Sequence, residues 1–240
     1  MTRWLRVTRA ITVRECRALF LTPIAWVFLS VIVLIAGVFF VLTLESSPDT
    51  TLRPLIGNLT LVLLFCLPAV TMRQISEEDR TGTLELLLTA PAPISALVCG
   101  KWLATMALCT AMIGMLTPFA AALSLYGSPG IGAFATLYLG LWLTCGLFVS
   151  AGLWASSLTR NAILAAMGAI FLTLPLWLAS LPLDRLSAPW SALLRHLALV
   201  EHLKSFSMGQ LDSADLIWFA LTTAWFLFMT IQSIGSRAWR

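Results

Sequence analysis

Six stretches of the chain carry almost nothing but apolar side chains: residues 24–44, 55–72, 102–126, 133–156, 161–182 and 216–235. A helix needs about 20 such residues to cross a bilayer, so the pattern predicts an all-α, polytopic membrane protein with six transmembrane helices. Pro68, Pro118 and Pro175 fall inside these runs. In a bundle they kink helices rather than end them, because neighbouring helices satisfy the freed carbonyls. No run carries an Asp, Glu, Lys, Arg or His near its middle. Lys101 and Asp215 sit at run ends, from which they are expected to reach the interface. Ion-coupled transporters and proton pumps usually need charges at the midplane, and this chain offers none. Small residues recur at helical spacing instead: Ala107, Ala111 and Gly114 in the third run, and Ala162, Ala165, Ala166 and Ala169 in the fifth. They let helices approach closely, within the chain or across a dimer seam.

The polar segments between the runs differ in kind. On a helical wheel of residues 3–20, Arg3, Arg6, Arg9, Arg14 and Arg17 share one arc. Trp4, Leu5, Val7, Ile11, Ala18 and Leu19 take the opposite arc, and only Val13 clearly breaks the pattern. This predicts an amphipathic helix over 1–22 lying in the membrane surface, with Trp4 and Leu5 at the acyl boundary and the arginines on headgroups. Glu15 falls on the apolar arc, where it reaches a cytoplasmic partner or pairs with a nearby arginine. Pro23 turns the chain into the first span.

Residues 73–101 read RQISEEDRTGTLELLLTAPAPISALVCGK. Glu77, Glu78, Asp79 and Arg80 are too charged for lipid, and Gly82 breaks the helix. Thr83 is expected to cap a second short helix with Glu85 in its first turn. Leu84, Leu87 and Leu88 share one face of it, and Pro93 opens the third membrane helix. The expectation is a rigid, charged knuckle over 73–96, either a docking element for a partner or an ordinary solvated loop. Residues 183–214 mix charge with Trp190, Leu193, Leu197, Leu203 and Phe206, too broken to span and suited to short helices dipping into the outer leaflet. Gly209 and Asp212 mark a turn before the last span. His196 and His202, six apart with no cysteine nearby, give no metal spacing; a hydrogen bond to the backbone is their default.

Composition sharpens this picture. The chain has 240 residues, of which 59% are hydrophobic and only 11% charged. A soluble domain of this size leaves too much surface in water to hide so many apolar groups. The net charge is +4, and the placement of the basic residues matters more than the total. Six spans put both termini on one side. With the termini inside, 11 Lys and Arg face the cytoplasm and 4 face outward, which orients the chain by the positive-inside rule. Nucleic acid is a poor partner for a basic arm on so lipid-soluble a chain. The five cysteines form no C-x-x-C pair and serve as small hydrophobes. No phosphate-binding loop, nucleophile elbow or zinc-protease motif occurs. No catalytic residue, metal or cofactor is therefore assigned to this chain, and energy for any transport has to come from another polypeptide.

The stretch EEDRTGTLELLLTAP (77–91), followed by Gly100-Lys101, resembles the signature of type-2 ABC (ABC-2) exporter permeases, most closely the GldF-like gliding-motility branch with NosY-like permeases beside it. VRECRALFLTPIAWVFLSV (13–31) and EHLKSFSMGQLDSADLIWF (201–219) resemble that branch's approaches to its first and last spans. The core formed by Asp79, Gly82, Thr83, Leu84 and Glu85, with Glu78 upstream, is also similar to CcmB-like haem-exporter permeases. The resemblance implies two permease chains, homo- or heterodimeric, above two ABC ATP-binding subunits that hold ATP and Mg, in a bacterial cytoplasmic membrane. It makes Glu77, Glu78, Asp79, Arg80, Thr81, Gly82, Thr83 and Glu85 the coupling contacts to the ATPase. It makes the segment before the last span a re-entrant external gate, with His202, Phe206 and Gly209 in it. An accessory subunit with a large external domain accompanies some such permeases. Secondary transport, an intramembrane enzyme and a membrane assembly scaffold are the rival classes.

Overall fold

The computed structural model describes residues 2–46, 53–84, 92–126, 131–181 and 194–237, and these are helical apart from short turns, with no strand among them. Helix α1 (Thr2–Leu21) leads, by way of Thr22, into α2 (Pro23–Ser46). α3 (Arg53–Thr71) and α4 (Arg73–Arg80) are separated only by Met72. Then follow α5 (Ile94–Tyr126), α6 (Ile131–Leu158), α7 (Ala162–Leu178), α8 (Leu199–Ser207) and α9 (Ser213–Arg237).

Five stretches among the described residues are long and apolar enough to cross a membrane: Pro23–Leu44, Pro54–Arg80, Ile94–Ala122, Gly132–Leu158 and Ser213–Ser236. The run expected as the fifth span, 161–182, is helical only over the 17 residues of α7. That is about 26 Å of rise against a hydrocarbon core of about 30 Å. Asn161 fixes its start by accepting from Ile163 N at 2.9 Å, and Pro175 stands three residues before its end. α5 departs the other way. Its 33 residues rise about 50 Å, so at least one end lies outside the hydrocarbon.

α6 is the hub, packing against α3, α4, α5, α7, α8 and α9. Its buried side chains run its length, from Leu137 through Cys145 and Phe148 to Leu153 and Ala155. α2 and α9 are peripheral and turn Val27, Leu34, Val38, Leu221 and Phe228 outward, as helices in contact with lipid do. Several polar atoms in this apolar interior find partners inside it, whereas Gln74 Oε1, Glu78 Oε2 and Asp215 Oδ2 accept no hydrogen bond among the described residues. Trp102 Nε1 donates to the Gly146 carbonyl at 3.1 Å, and Tyr138 Oη to the Leu116 carbonyl at 2.9 Å. Thr60, Thr144, Thr173 and Thr230 donate to the carbonyl four residues back, the usual solution where water is absent.

The small residues of α7 serve packing within the chain: Ala165 and Ala169 are buried, and Gly168 faces Ala155 of α6. Those expected to matter in the third run do less. Gly114 has open space around it, and Ala107 and Ala111 are only half-buried. The closest approach is elsewhere, between α3 and α6. A Cβ on Gly152 would stand 2.1 Å from Thr71 Oγ1, so the Thr71 side chain fits against α6 only because residue 152 carries a hydrogen.

Candidate functional site

The elbow at the end of α3 is held by α6, a helix distant in sequence. At Met72 the helical ladder is interrupted. Ser156 of α6, which is buried, repairs it: its Oγ accepts from Ile75 N at 3.2 Å and Ser76 N at 3.0 Å, and donates to the Met72 carbonyl at 2.9 Å. Ser76 Oγ donates to the same carbonyl. α4 thus leaves α3 without stranding a backbone donor in the apolar interior, where each would be costly.

α4 has an inner and an outer face. On the inner face Glu78 Oε1 accepts from Lys101 Nζ at 2.9 Å and lies 3.4 Å from Arg14 Nη2. Lys101 also reaches Glu15 Oε1 at 3.3 Å, and Arg14 reaches the same atom at 2.5 Å. Two cations and two carboxylates from α1, α4 and α5 form one neutral cluster around Lys101, whose side chain is only 2% exposed. Gln74 Nε2 donates to Thr105 Oγ1 beside it. Burial pushes the Glu15 carboxyl up, but the charge of Lys101 and the bond and charge of Arg14 outweigh it, so its pKa lies below the ordinary value. The hydrogen bond to Glu15 holds the Arg14 guanidinium above its own ordinary value despite partial burial. Burial, with the Glu15 charge, pushes the Cys16 thiol up. Asp79, also turned inward, meets Arg160 at 3.3 Å.

On the outer face Glu77, Arg80, Thr81, Gly82 and Thr83 are exposed. The end of α4 is closed tightly. Thr81 N donates to the Glu77 carbonyl at 2.9 Å and Gly82 N to the Asp79 carbonyl at 3.4 Å. Gly82 has φ +75°, a conformation that costs other residues about 1–2 kcal/mol. Thr81 and Thr83 donate to the Glu78 carbonyl at 3.3 Å each, so both hydroxyls help finish α4; the short helix expected after Thr83 lies, beyond Leu84, outside the described residues. Leu84 is buried. Beside this tip, α4 and the start of α7 enclose a groove of about 530 Å³.

α1 is clamped along the first turns of α5. Trp4 Nε1 donates to Ser95 Oγ at 3.1 Å, Thr12 Oγ1 to the Gly100 carbonyl at 3.3 Å, and Cys16 Sγ lies 3.8 Å from the Ala104 carbonyl. At the far end of the bundle, His202 on α8 stacks on Trp218 of α9 with ring centroids 4.3 Å apart. Its Nδ1 is 2.6 Å from Asp215 Oδ1 and its Nε2 is 3.3 Å from the His196 carbonyl. Phe206 is buried against Phe219, and its carbonyl accepts from Thr136 Oγ1 at 3.0 Å.

The family described as ABC-2 family transporter protein matches residues 10–183. The chain belongs to this family. Among curated proteins none matches it. It is a multi-pass membrane permease subunit of an ABC transporter, and membership associates it with an ATP-binding subunit and a second permease chain.

The permease disposes its expected site residues in three ways. Glu77, Arg80, Thr81, Gly82 and Thr83 stand together on the open tip, whereas Glu78 and Asp79 turn inward and are held by cations of the same chain. Glu85, Leu87 and Leu88 lie outside the described residues. Arg3, Arg6, Arg9 and Arg17 line the exposed side of α1, while Arg14 bends into the ionic cluster. Several expectations are corrected. Lys101 does not reach for an interface; it is buried between two carboxylates. Asp215 is likewise buried, beside His202. Trp4 spends its indole N–H on Ser95 of α5, while Leu5 and Ala18 are exposed, because the helix packs on protein through Trp4, Thr8, Ile11, Cys16 and Leu19. Of the residues expected to be external, Phe206 is buried in the packing of α8 on α6 and α9, and Gly209, with φ +79°, forms the turn after α8. The missed residue is Ser156, one serine in an apolar run with no sequence signal to mark it. The cluster had a signal in Glu15, an acid on an apolar arc.

Proposed function

We propose that this permease works as the membrane half of an ATP-driven exporter, with residues 73–96 as the coupling region on which the ATP-binding subunit pushes. The observation that supports this most is the two-faced α4: its inner face is fixed by Ser156, Lys101 and Arg160, and its tip presents Glu77, Arg80, Thr81 and Thr83 outward. A lever has to be stiff at its root and chemically distinctive at its end, and α4 is both.

In this reading α7 completes a sixth crossing, both termini are cytoplasmic, and the membrane is the inner membrane of a bacterium. α1 lies at the inner surface, and the segment 183–214 closes the outer side. ATP and Mg bind the partner subunits, not this chain. ATP binding draws those subunits together; the elbows follow, and a path along the seam between two permeases opens outward. ATP drives this only through its tighter binding to the closed ATPase pair. A path with no midplane charge suits an amphipathic or lipid-like cargo, or mechanical work on a partner that carries an external domain. The resemblance favours the GldF-like branch, with copper-related NosY-like and haem-exporter CcmB-like permeases as alternatives.

The test is charge reversal at the tip, Arg80→Glu with Glu85→Lys, read by co-purification of the ATP-binding subunit and by ATP turnover. The expected result is loss of both. Unchanged binding and turnover overturn the coupling assignment. Thiol labelling of Thr83→Cys in intact cells tests the orientation: labelling from outside places the tip beyond any motor's reach and favours a secondary transporter or an assembly scaffold.

A further inference from the structure

The groove between α4 and α7 has a chemistry that the coupling role leaves unused. Three guanidinium groups line it, Arg73 and Arg80 from α4 and Arg160 from the turn before α7, against one carboxylate, Glu77. Their neutralisation is incomplete. Arg80 meets Glu77 at a loose 3.8 Å, and Arg160 meets Asp79 at 3.3 Å. Arg73 is exposed and has no ion-pair partner among the described residues. The groove's volume of about 530 Å³ lies in the range of small-molecule sites. Guanidinium groups in convergence match phosphate oxygens in pairs.

A second observation says what else the ligand carries. Ile163 lines the groove, and from it an open apolar stripe climbs α7 at four-residue spacing. Ile163 is 69% exposed, Met167 62% and Phe171 78%. One face of α7 therefore runs from a basic groove onto an exposed apolar stripe, which faces hydrocarbon if α7 completes the sixth crossing proposed above. A free phosphate engages the first feature only. A phosphate carried on alkyl chains engages both.

We propose that this groove binds the phosphate of an anionic phospholipid, with the headgroup on Arg73, Arg80 and Arg160 and an acyl chain along Ile163, Met167 and Phe171. The site needs neither nucleotide nor ATP-binding subunit, so it stands apart from the coupling role. Glu77 and Arg80 of the tip belong to both, and Arg73 stands at the root of the coupling region, so the test reads lipid binding on the permease alone, through Arg73 and Arg160.

The full-length permease, purified in neutral detergent, is titrated with phosphatidylglycerol and with phosphatidylcholine, and bound lipid is counted by native mass spectrometry. The wild type is expected to favour phosphatidylglycerol, and Arg73→Gln with Arg160→Gln to reduce that preference by about twenty-fivefold, as two surface arginines are worth about fivefold each. Arg160→Gln alone, at an exposed position, gives a reading of about fivefold if the double variant does not fold. Arg6→Gln with Arg9→Gln removes the same charge from α1 and is expected to leave the preference intact. Phe171→Asn is expected to weaken phosphatidylglycerol binding. Excess inorganic phosphate is expected not to displace the lipid. The proposal is overturned if the groove variants change the preference by less than about twofold, if the α1 variant lowers it equally, if Phe171→Asn has no effect, or if inorganic phosphate alone competes fully.

Discussion

Replacing Lys101 with methionine tests the ionic cluster directly. The side chain keeps its length and approximate volume and loses only its charge. Glu78 and Glu15, which stood 2.9 and 3.3 Å from the ammonium, are left facing each other with Arg14 alone. At those distances and an effective dielectric near 20, each lost attraction is about 5–6 kcal/mol. Most of this is offset by the desolvation that Lys101 no longer suffers, and truncating one member of a buried pair typically costs about 3–5 kcal/mol. The two carboxylate side chains keep 17% and 18% of their exposure, so water screens part of the imbalance and the expected cost is near the lower end, about 3 kcal/mol. Equilibrium unfolding in mixed micelles with sodium dodecyl sulfate, followed by far-UV circular dichroism, measures it. The decisive comparison is the cycle of Lys101→Met, Glu78→Gln and the double variant. Because the double variant strands neither charge, it should be more stable than the sum of the single losses by at least about 1 kcal/mol. Additivity within about 0.5 kcal/mol, or a Lys101→Met protein as stable as the wild type, refutes the reasoning.

The pKa of Glu15 predicts a pH dependence. Because its folded value is depressed, its contribution is complete above the ordinary carboxylate value of about 4.3 and is lost as pH falls through the lower folded value. The micellar unfolding midpoint should therefore hold between about pH 7 and 5 and decline below about pH 4, and Glu15→Gln should blunt that decline. Ser156→Ala leaves the Ile75 and Ser76 amides without an acceptor and should cost about 1–3 kcal/mol, with faster hydrogen exchange confined to the elbow. Gly152→Ala forces a methyl into Thr71 and should cost about 1–3 kcal/mol by the same unfolding assay. Gly82→Ala, at positive φ, should lower stability by about 1–2 kcal/mol, and Gly82→Asn by less.

The helices were legible because lipid imposes a simple rule: long uncharged runs must close their own backbone bonds. Gly82 and Pro93 were readable as boundaries for local steric reasons, and α4 ends and α5 begins beside them. What the sequence hid is what one helix does for another. Lys101 at the edge of an apolar run looks like a side chain bound for water until Glu15 and Glu78, 86 and 23 positions away, are seen to enclose it. Glu15 looked misplaced on its wheel only because the face it shares meets protein rather than lipid. The length of α7 turned on where its caps fall, which hydropathy does not report. The tip residues were identifiable as a group, but the division of Glu77 from Glu78 depended on a helical phase fixed by Ser156.

That serine makes the elbow's angle a property of the hub rather than of its own strand of sequence. The amides of residues 75 and 76 are anchored to a hydroxyl on α6, so a sliding of α6 by even one bond length has to be answered by the lever, either by following or by exchanging the serine for its own carbonyls. Slack between the centre of the bundle and its protruding end is thereby removed, and movement begun at one is felt at the other.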